Sequence, residues 1–183
     1  FDSEEPSYTN EYTGMFKGYN IIFITAESFS QYAIDKDLTP TLCKMYNEGF
    51  QFENYYSPAW GVSTTDGEYA NLTGLIPKSG VWSFSKSAEN NVSFPFTLGE
   101  QSRKLGCKTV NAYHNHTYDY YDRDKYLTNI GYDYSAIGKG LDLGENVWPN
   151  SDLKMMQKTV DDYINSDSFS VYYMTVSGHG GYS

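Results

Sequence analysis

Short apolar runs that alternate with helical segments constrain the fold of this chain most strongly. The first run, residues 20–27, is nearly all apolar through Thr25 and closes on Glu27. Such a run is typical of a strand covered on both faces of a sheet. Strands are predicted over residues 20–27, 50–56, 107–113, 132–137 and 169–176. Strands that alternate with helices predict an α/β fold with a mostly parallel sheet flanked by helices.

Capping signals place the predicted helices between these strands. Thr39 can cap a helix that begins at Pro40 and stops near Gly49. Further helices are predicted over residues 65–75, 95–105 and 119–129, and from Ser151 or Asp152 onward. Residues 78–94 are rich in Ser and Asn, and we expect them to be irregular.

Composition excludes several classes of function. The 183 residues suit one domain, and the net charge of −10 lacks the clustered cations that binding to nucleic acid requires. No apolar stretch reaches the roughly 18–20 residues of a membrane span. Cys43 and Cys107 form no CxxC motif, so both a disulfide and two separate thiols remain open. A polar start and an end just after a strand lead us to expect a piece of a larger protein.

Polar groups follow several predicted strands, where ligands bind in open α/β sheets. Glu27 could hold a hard cation, or it could be a cap or an ion-paired carboxylate. Thr64 lies in a turn at residues 61–68 that opens a helix, so it could be a nucleophile or a simple N-cap. Ser63 and Thr65 compete with Thr64 for either role.

Two further strand ends deliver histidine. His114 lies two residues before His116, a spacing that fits either a metal site on a strand or a loop. His179 is flanked by glycines, which let the backbone come close to a ligand. Arg123 could bind a phosphate oxygen or pair with a neighbouring Asp. Asp66 and Glu68 are interpreted as helix-dipole partners in a first turn rather than as site residues.

This set of residues resembles the lipoteichoic acid synthase family, phosphoglycerol transferases of the alkaline phosphatase and sulfatase superfamily. The Thr-Thr-Asp-Gly-Glu stretch at residues 64–68 is the most specific part of the resemblance. The other matching segments are residues 20–28, 39–40, 50–57, 131–133 and 177–179, with His114 and Arg123 between them.

The resemblance implies a role for each matching position. Glu27 corresponds to a metal ligand, and Thr64 to the nucleophile that also touches the metal, which is Mn²⁺ or Mg²⁺. His114, Arg123 and His179 correspond to residues that hold the glycerol-phosphate group. Tyr121 falls where the family has a Trp near the substrate, so stacking there is a weaker expectation.

One departure from the family concerns the metal site. The family completes this site with an adjacent Asp-His pair, and no Asp-His dipeptide occurs in this sequence. We therefore expect residues 1–18 to be a linker or extension and residues 19–183 to be the N-terminal part of a catalytic domain that is incomplete at its C-terminus. Such a fragment is expected to be inactive by itself.

The resemblance implies transfer of glycerol phosphate from phosphatidylglycerol to a growing chain through a covalent Thr64 intermediate. It also implies a membrane-anchored parent protein on the extracellular face of a Gram-positive cell, or one secreted after cleavage. Two alternatives stay open: a hydrolase of the same superfamily, such as a phosphatase, phosphodiesterase or sulfatase-like enzyme, and a non-catalytic domain that binds wall glycans.

Overall fold

A five-stranded, fully parallel sheet organises the chain. The computed structural model describes residues 8–56, 64–144 and 147–180. Its strand order is β1-β5-β2-β3-β4, and every neighbouring pair is parallel. The strands are β1 (Ile21–Thr25), β2 (Thr109–Thr117), β3 (Asp133–Ile137), β4 (Gly140–Leu141) and β5 (Phe169–Met174). The predicted α/β class with a parallel sheet is therefore confirmed.

Within the described part of the chain, six α-helices connect the strands. They are α1 (Pro40–Glu48), α2 (Thr64–Thr73), α3 (Ser83–Glu89), α4 (Leu98–Lys104), α5 (Arg123–Asn129) and α6 (Asp152–Thr159). Ser151 caps α6, because its side chain accepts a hydrogen bond from the Lys154 N–H. The Thr39 side chain makes no such cap on α1; its hydroxyl instead donates to the backbone oxygens of Ala33 and Asp35.

Alternation along the central strands builds one core on each face of the sheet. Ala112 and Tyr172 point to the face that α2, α3 and α5 cover, where Phe84 stacks on Tyr126 with ring centroids 4.4 Å apart. Tyr113 and Tyr173 point to the opposite face, where α6 packs. The carboxyl ends of β1, β2 and β5 therefore open at one edge of the sheet, between two covered faces.

Two sequence predictions about these elements are wrong. Residues 50–56 form no strand, and Phe52 and Tyr56 are each 80% exposed. Strand propensity reflects packing on a pleated surface, and this segment has no sheet partner. Residues 78–94 contain α3, because Phe84 gains a buried aromatic environment that stabilises a helix of low intrinsic propensity.

Candidate functional site

A pocket of about 40 Å³ lies at the carboxyl ends of β1, β5 and β2. It collects the residues singled out in the sequence: its lining includes Glu27, Thr64, His114, Tyr121, Arg123 and His179. The same lining contains His116, which the sequence offered with His114 as a possible metal ligand, and also Tyr120 and Trp148, which the sequence did not single out. The pocket therefore has the position at which open parallel sheets bind ligands.

Glu27 and Thr64 are in direct contact. The Thr64 hydroxyl donates to Oε2 of Glu27 at 3.1 Å, and the Ser28 hydroxyl donates to Oε1 at 3.3 Å. Thr64 is the first residue of α2, so its oxygen also lies at the positive end of a helix dipole. This arrangement leaves the lone pairs of the Thr64 oxygen available to an electrophile in the pocket.

The structure distinguishes Thr64 from Thr65, one of the two other hydroxyl residues that could be the nucleophile. Thr65 is 2% exposed and does not line the pocket. Ser63 lies outside the described residues, together with the first part of the predicted turn, residues 61–63. Between Thr64 and Thr65, the geometry favours Thr64 as the hydroxyl that meets a ligand.

His114 is a buried, neutral imidazole with a defined tautomer. Its Nδ1 lies 3.0 Å from the Met174 carbonyl oxygen, which can only accept, so Nδ1 carries the proton and Nε2 keeps its lone pair. Burial and the nearby Arg123 charge hold the pKa of His114 well below its ordinary value. His114 therefore stays neutral at physiological pH.

His116 has the opposite tautomer. The Thr117 N–H donates to Nδ1 of His116 at 2.7 Å, so the neutral ring carries its proton on Nε2. Burial and then the Arg123 charge lower the pKa of His116 as well. Its ring stacks on Tyr120 at 4.1 Å and meets the Trp148 ring edge-on at 5.1 Å. The strand period of two, visible in the sequence, places both histidines on one face of β2.

Arg123 is almost fully buried and ion-paired with Glu68. Its Nε and Nη2 donate to Oε2 of Glu68 at 3.0 and 2.6 Å, and Nη1 donates to the Tyr120 carbonyl at 3.3 Å. The interpretation of Glu68 as a simple helix-dipole partner is therefore wrong, because its side chain is 0% exposed and serves as the counter-ion of Arg123. Although burial opposes the charge, Glu68 raises the pKa of Arg123, so the guanidinium remains protonated.

Asp66 lies in the first turn of α2, as its sequence interpretation expected. Its side chain is 3% exposed, and burial raises the pKa of its carboxyl group.

The loop after β5 brings His179 to the pocket rim. The Trp148 ring contacts the exposed His179 ring with centroids 5.3 Å apart. At Gly178 this loop lies close to the backbone of Glu27, because a Cβ on residue 178 would be 2.9 Å from the Glu27 backbone oxygen. The absence of a side chain at Gly178 therefore lets the two segments come together. A Cβ at Gly180, in contrast, would meet open space. Residues 181–183 lie outside the described residues.

Asp152 fixes this loop to the start of α6. Its carboxylate accepts the backbone N–H groups of Val176 and Ser177, both at 2.8 Å, and an Asn115 amide N–H at 2.9 Å. One side chain therefore connects the ends of β2 and β5, the two strands that deliver the histidines. From the sequence, Asp152 was predicted only as a possible start of a helix.

Left-handed backbone conformations cluster around the pocket. Ser28, Tyr121 and Asp122 have φ values of 54°, 59° and 58°, which are unfavourable for residues with a side chain. Ser28 follows Glu27 directly, and the other two precede Arg123. Such strain concentrates at functional sites, where the surrounding structure enforces it.

The pocket offers a divalent cation only some of the oxygen ligands that it needs. Glu27 and Thr64 supply two adjacent oxygens, whereas Mg²⁺ and Mn²⁺ take about six ligands. Among residues 8–56, 64–144 and 147–180, no group of three or more His, Cys, Asp or Glu side chains could hold a metal ion. These residues therefore provide part of a cation site of the right chemistry.

The structure also bears on two predictions that do not concern the pocket, one about the cysteines and one about membrane spans. Cys43 and Cys107 are both free, half-buried thiols, so they do not form a disulfide with each other. Within the described part of the chain, no helix is both long and apolar enough to cross a bilayer.

Comparison with known proteins identifies relatives. The sulfatase family model matches residues 19–183. The chain is 27% identical over 153 residues to lipoteichoic acid synthase 2 of Bacillus subtilis, covering 79% of this chain and 23% of that protein. It is 28% identical over 183 residues to lipoteichoic acid synthase of Staphylococcus saprophyticus, covering 92% and 28%. The chain thus spans about a quarter of the length of these relatives.

Solved structures share the fold. The lipoteichoic acid synthase LtaP from Listeria monocytogenes superposes with a TM-score of 0.72 at 23% identity, over 92% of this chain and 43% of that one. An alkaline phosphatase superfamily protein from Vibrio parahaemolyticus gives a TM-score of 0.69 at 20% identity, over 90% and 41%. These likenesses support the alkaline-phosphatase-like architecture expected from the sequence.

Proposed function

The chain belongs to the sulfatase family, and on that premise we propose that it carries the nucleophile and phosphate-binding side of a phosphoglycerol transferase. The observation that carries the proposal is the contact between Thr64 and Glu27 in a pocket that Arg123 also lines. A hydroxyl, a carboxylate and a fixed guanidinium are what transfer of a phosphoryl group through a covalent intermediate requires. The relatives named as lipoteichoic acid synthases point to glycerol phosphate as the group transferred.

In the proposed reaction Thr64 attacks the phosphorus of phosphatidylglycerol. A bond forms between Oγ1 of Thr64 and phosphorus while the bond to the diacylglycerol oxygen breaks. Glu27 accepts the hydrogen bond of the Thr64 hydroxyl, and this contact directs the oxygen lone pairs into the pocket. The Thr64 proton passes to the departing oxygen, so diacylglycerol leaves as a free alcohol. A glycerol hydroxyl at the end of the growing chain then attacks the phosphorus, and its proton returns to Oγ1 of Thr64 as that bond breaks.

The remaining pocket residues hold the phosphate oxygens and the glycerol. Two of the five N–H groups of Arg123 are left for a phosphate oxygen after its bonds to Glu68 and Tyr120, counted over the described residues. His114 offers an acceptor nitrogen to a glycerol hydroxyl, and Tyr121 and His179 close the rim. When Mn²⁺ or Mg²⁺ is bound, Glu27 and Thr64 would be two of its ligands, and the ion would favour the ionised form of the hydroxyl.

The proposal is tested with a Thr64→Ala variant of the longest form of the protein that the gene encodes. We expect loss of chain growth from phosphatidylglycerol by at least about 10³-fold, because no other group replaces the nucleophile. Thr65→Ala is the matched control, since Thr65 lies next in sequence but outside the pocket, and it should retain activity. Full activity in Thr64→Ala would refute the assignment.

The same assay separates transfer from hydrolysis. A transferase lengthens the chain without releasing free glycerol phosphate, whereas a hydrolase releases it at the rate of lipid consumption. Mass spectrometry of the peptide that contains Thr64, after an acid quench, should show the glycerophosphate adduct in the wild-type protein and not in Thr64→Ala.

A further inference from the structure

Glu68 lies on α2 one helical turn after Thr64. Residues four apart share one face of a helix, so a single short helix carries both the proposed nucleophile and this carboxylate. Because α2 is one rigid element, any group that Glu68 holds keeps a fixed distance from Thr64.

The Glu68 carboxylate is the centre of a fully buried network. Beyond the two N–H groups of Arg123, it accepts the Tyr126 hydroxyl on Oε2 at 2.9 Å and the Tyr172 hydroxyl on Oε1 at 2.8 Å. Arg123 and Tyr126 belong to α5, and Tyr172 belongs to β5. Four donors on two other elements thus fix both oxygens of one carboxylate.

Stability alone is a weak reason for such an arrangement. Removing two charges from water is costly, and apolar side chains of similar size often stabilise a core equally well or better. The pair has an additional geometric result: Glu68 takes the Nε and Nη2 side of the guanidinium, and the Nη1 side is held by the Tyr120 carbonyl. These hydrogen bonds therefore fix the orientation of the planar guanidinium group before any ligand binds.

We propose that Glu68 is a positioning residue, which orients Arg123 so that its remaining N–H groups meet a phosphate oxygen beside Thr64. The inference rests on the proposed function, in which Arg123 touches the substrate and Glu68 acts only through it. A preorganised donor stabilises developing charge more than a mobile one, because no reorientation accompanies the reaction.

The test is a glycerol phosphate titration of this chain, followed by the ¹⁵N–¹H signal of the Arg123 Nε. In Glu68→Gln we expect that signal to shift and to exchange faster with water, because its charged acceptor is gone. The Kd for glycerol phosphate should rise about 10- to 100-fold, the loss typical of a misplaced group. Near-UV circular dichroism reports whether the variant is folded.

Asp122→Asn is the matched control. This variant removes the Asp122 carboxylate, which is next to Arg123 in the sequence but pairs with Lys125. Asn tolerates the left-handed backbone conformation at this position. The Arg123 signal and the Kd should stay as in the wild-type protein. A folded Glu68→Gln variant with an unchanged signal and Kd would overturn the proposal.

Two further results keep the outcome decisive. If Glu68→Gln does not fold, Tyr172→Phe and Tyr126→Phe take its place, since each keeps the charge and removes one bond to it; an unchanged Arg123 signal in both would count against the proposal. If the wild-type chain binds no glycerol phosphate while Glu68→Gln still alters the Arg123 signal, the proposed function fails but the positioning of Arg123 by Glu68 stands.

Discussion

The two walls of the pocket are built differently. Around Arg123, side chains from α2, α5 and β5 meet in a closed network in which Glu68 and Arg123 are 0% and 1% exposed. Around Glu27, β1 pairs with β5 alone among the described strands, and Ile22 and Ile24 are each 49% exposed. Helix α1, which follows β1 along the chain, buries none of its residues.

This difference separates two tasks that one site must perform. The Arg123 wall is preorganised by contacts within the described residues, so it can hold a phosphate group in a fixed place. The Glu27 wall has few neighbours of its own, so the geometry of Glu27 depends on Thr64, Ser28 and the loop after β5. Substitutions on the two walls should therefore differ in what they disturb.

The largest difference is expected between Glu68→Ala and Glu27→Ala. Loss of Glu68 leaves a buried guanidinium without its counter-ion, which should lower the free energy of unfolding by about 3–5 kcal/mol. Glu27 is partly exposed and its removal strands no buried charge, so its loss should cost within about 1 kcal/mol. Urea unfolding followed by circular dichroism measures both, and equal losses would contradict the contrast between the walls.

The second prediction concerns pH. The folded pKa of His114 lies well below its unfolded value of about 6.5, so the unfolded chain binds the proton first as the pH falls. The contribution of His114 to stability should therefore be constant above about pH 7 and fall below about pH 6.5, with a slope of up to about 1.4 kcal/mol per pH unit. His116, whose pKa is also lowered, adds to the slope, and Arg123 is the positive charge that both rings face.

Urea unfolding at several pH values checks this expectation. His114→Gln should flatten the dependence, because glutamine does not titrate and can still donate to the Met174 carbonyl. An equally steep loss of stability in that variant would show that another group is responsible.

The smallest effect is expected at the junction of the walls. In Gly178→Ala the new Cβ would lie 2.9 Å from the Glu27 backbone oxygen, so the loop that carries His179 must shift. We expect a cost of about 1 kcal/mol and faster amide exchange near residues 176–179. Gly180→Ala is the control, because its Cβ meets open space; identical exchange in both variants would exclude the close approach as the cause.

The sequence predicted most of the sheet because β1 and β5 are largely apolar runs. Four of the five predicted strands are present, and β5 is buried at every position. Residues 50–56 are also rich in aromatic residues but form no strand, and no local sequence pattern shows whether a neighbouring strand is available. The helix α3 was missed because it depends on a distant contact, the packing of Phe84 on Tyr126.

The site was predicted as a set of pocket residues but not as a network. Predicted strand ends indicated Glu27, His114 and His179, since each lies at or just after the end of a predicted strand. Glu68 was missed because an acidic residue near a helix start has a simpler explanation. A signal was present: Glu68 precedes Leu72 by four residues, and Arg123 shares the apolar face of α5 with Tyr126 and Leu127. A carboxylate and a guanidinium on two inward-facing helix stripes indicate a buried pair.

The left-handed residues around the pocket have a practical consequence for protein engineering. Glycine at Ser28 or Tyr121 would relieve an unfavourable backbone conformation of roughly 1 kcal/mol at each position. A screen for thermal tolerance would therefore tend to favour glycine there, while the Ser28 hydroxyl that contacts Glu27 and the Tyr121 ring that lines the pocket would be lost. At these two positions selection for a more stable protein and selection for a precise pocket oppose each other.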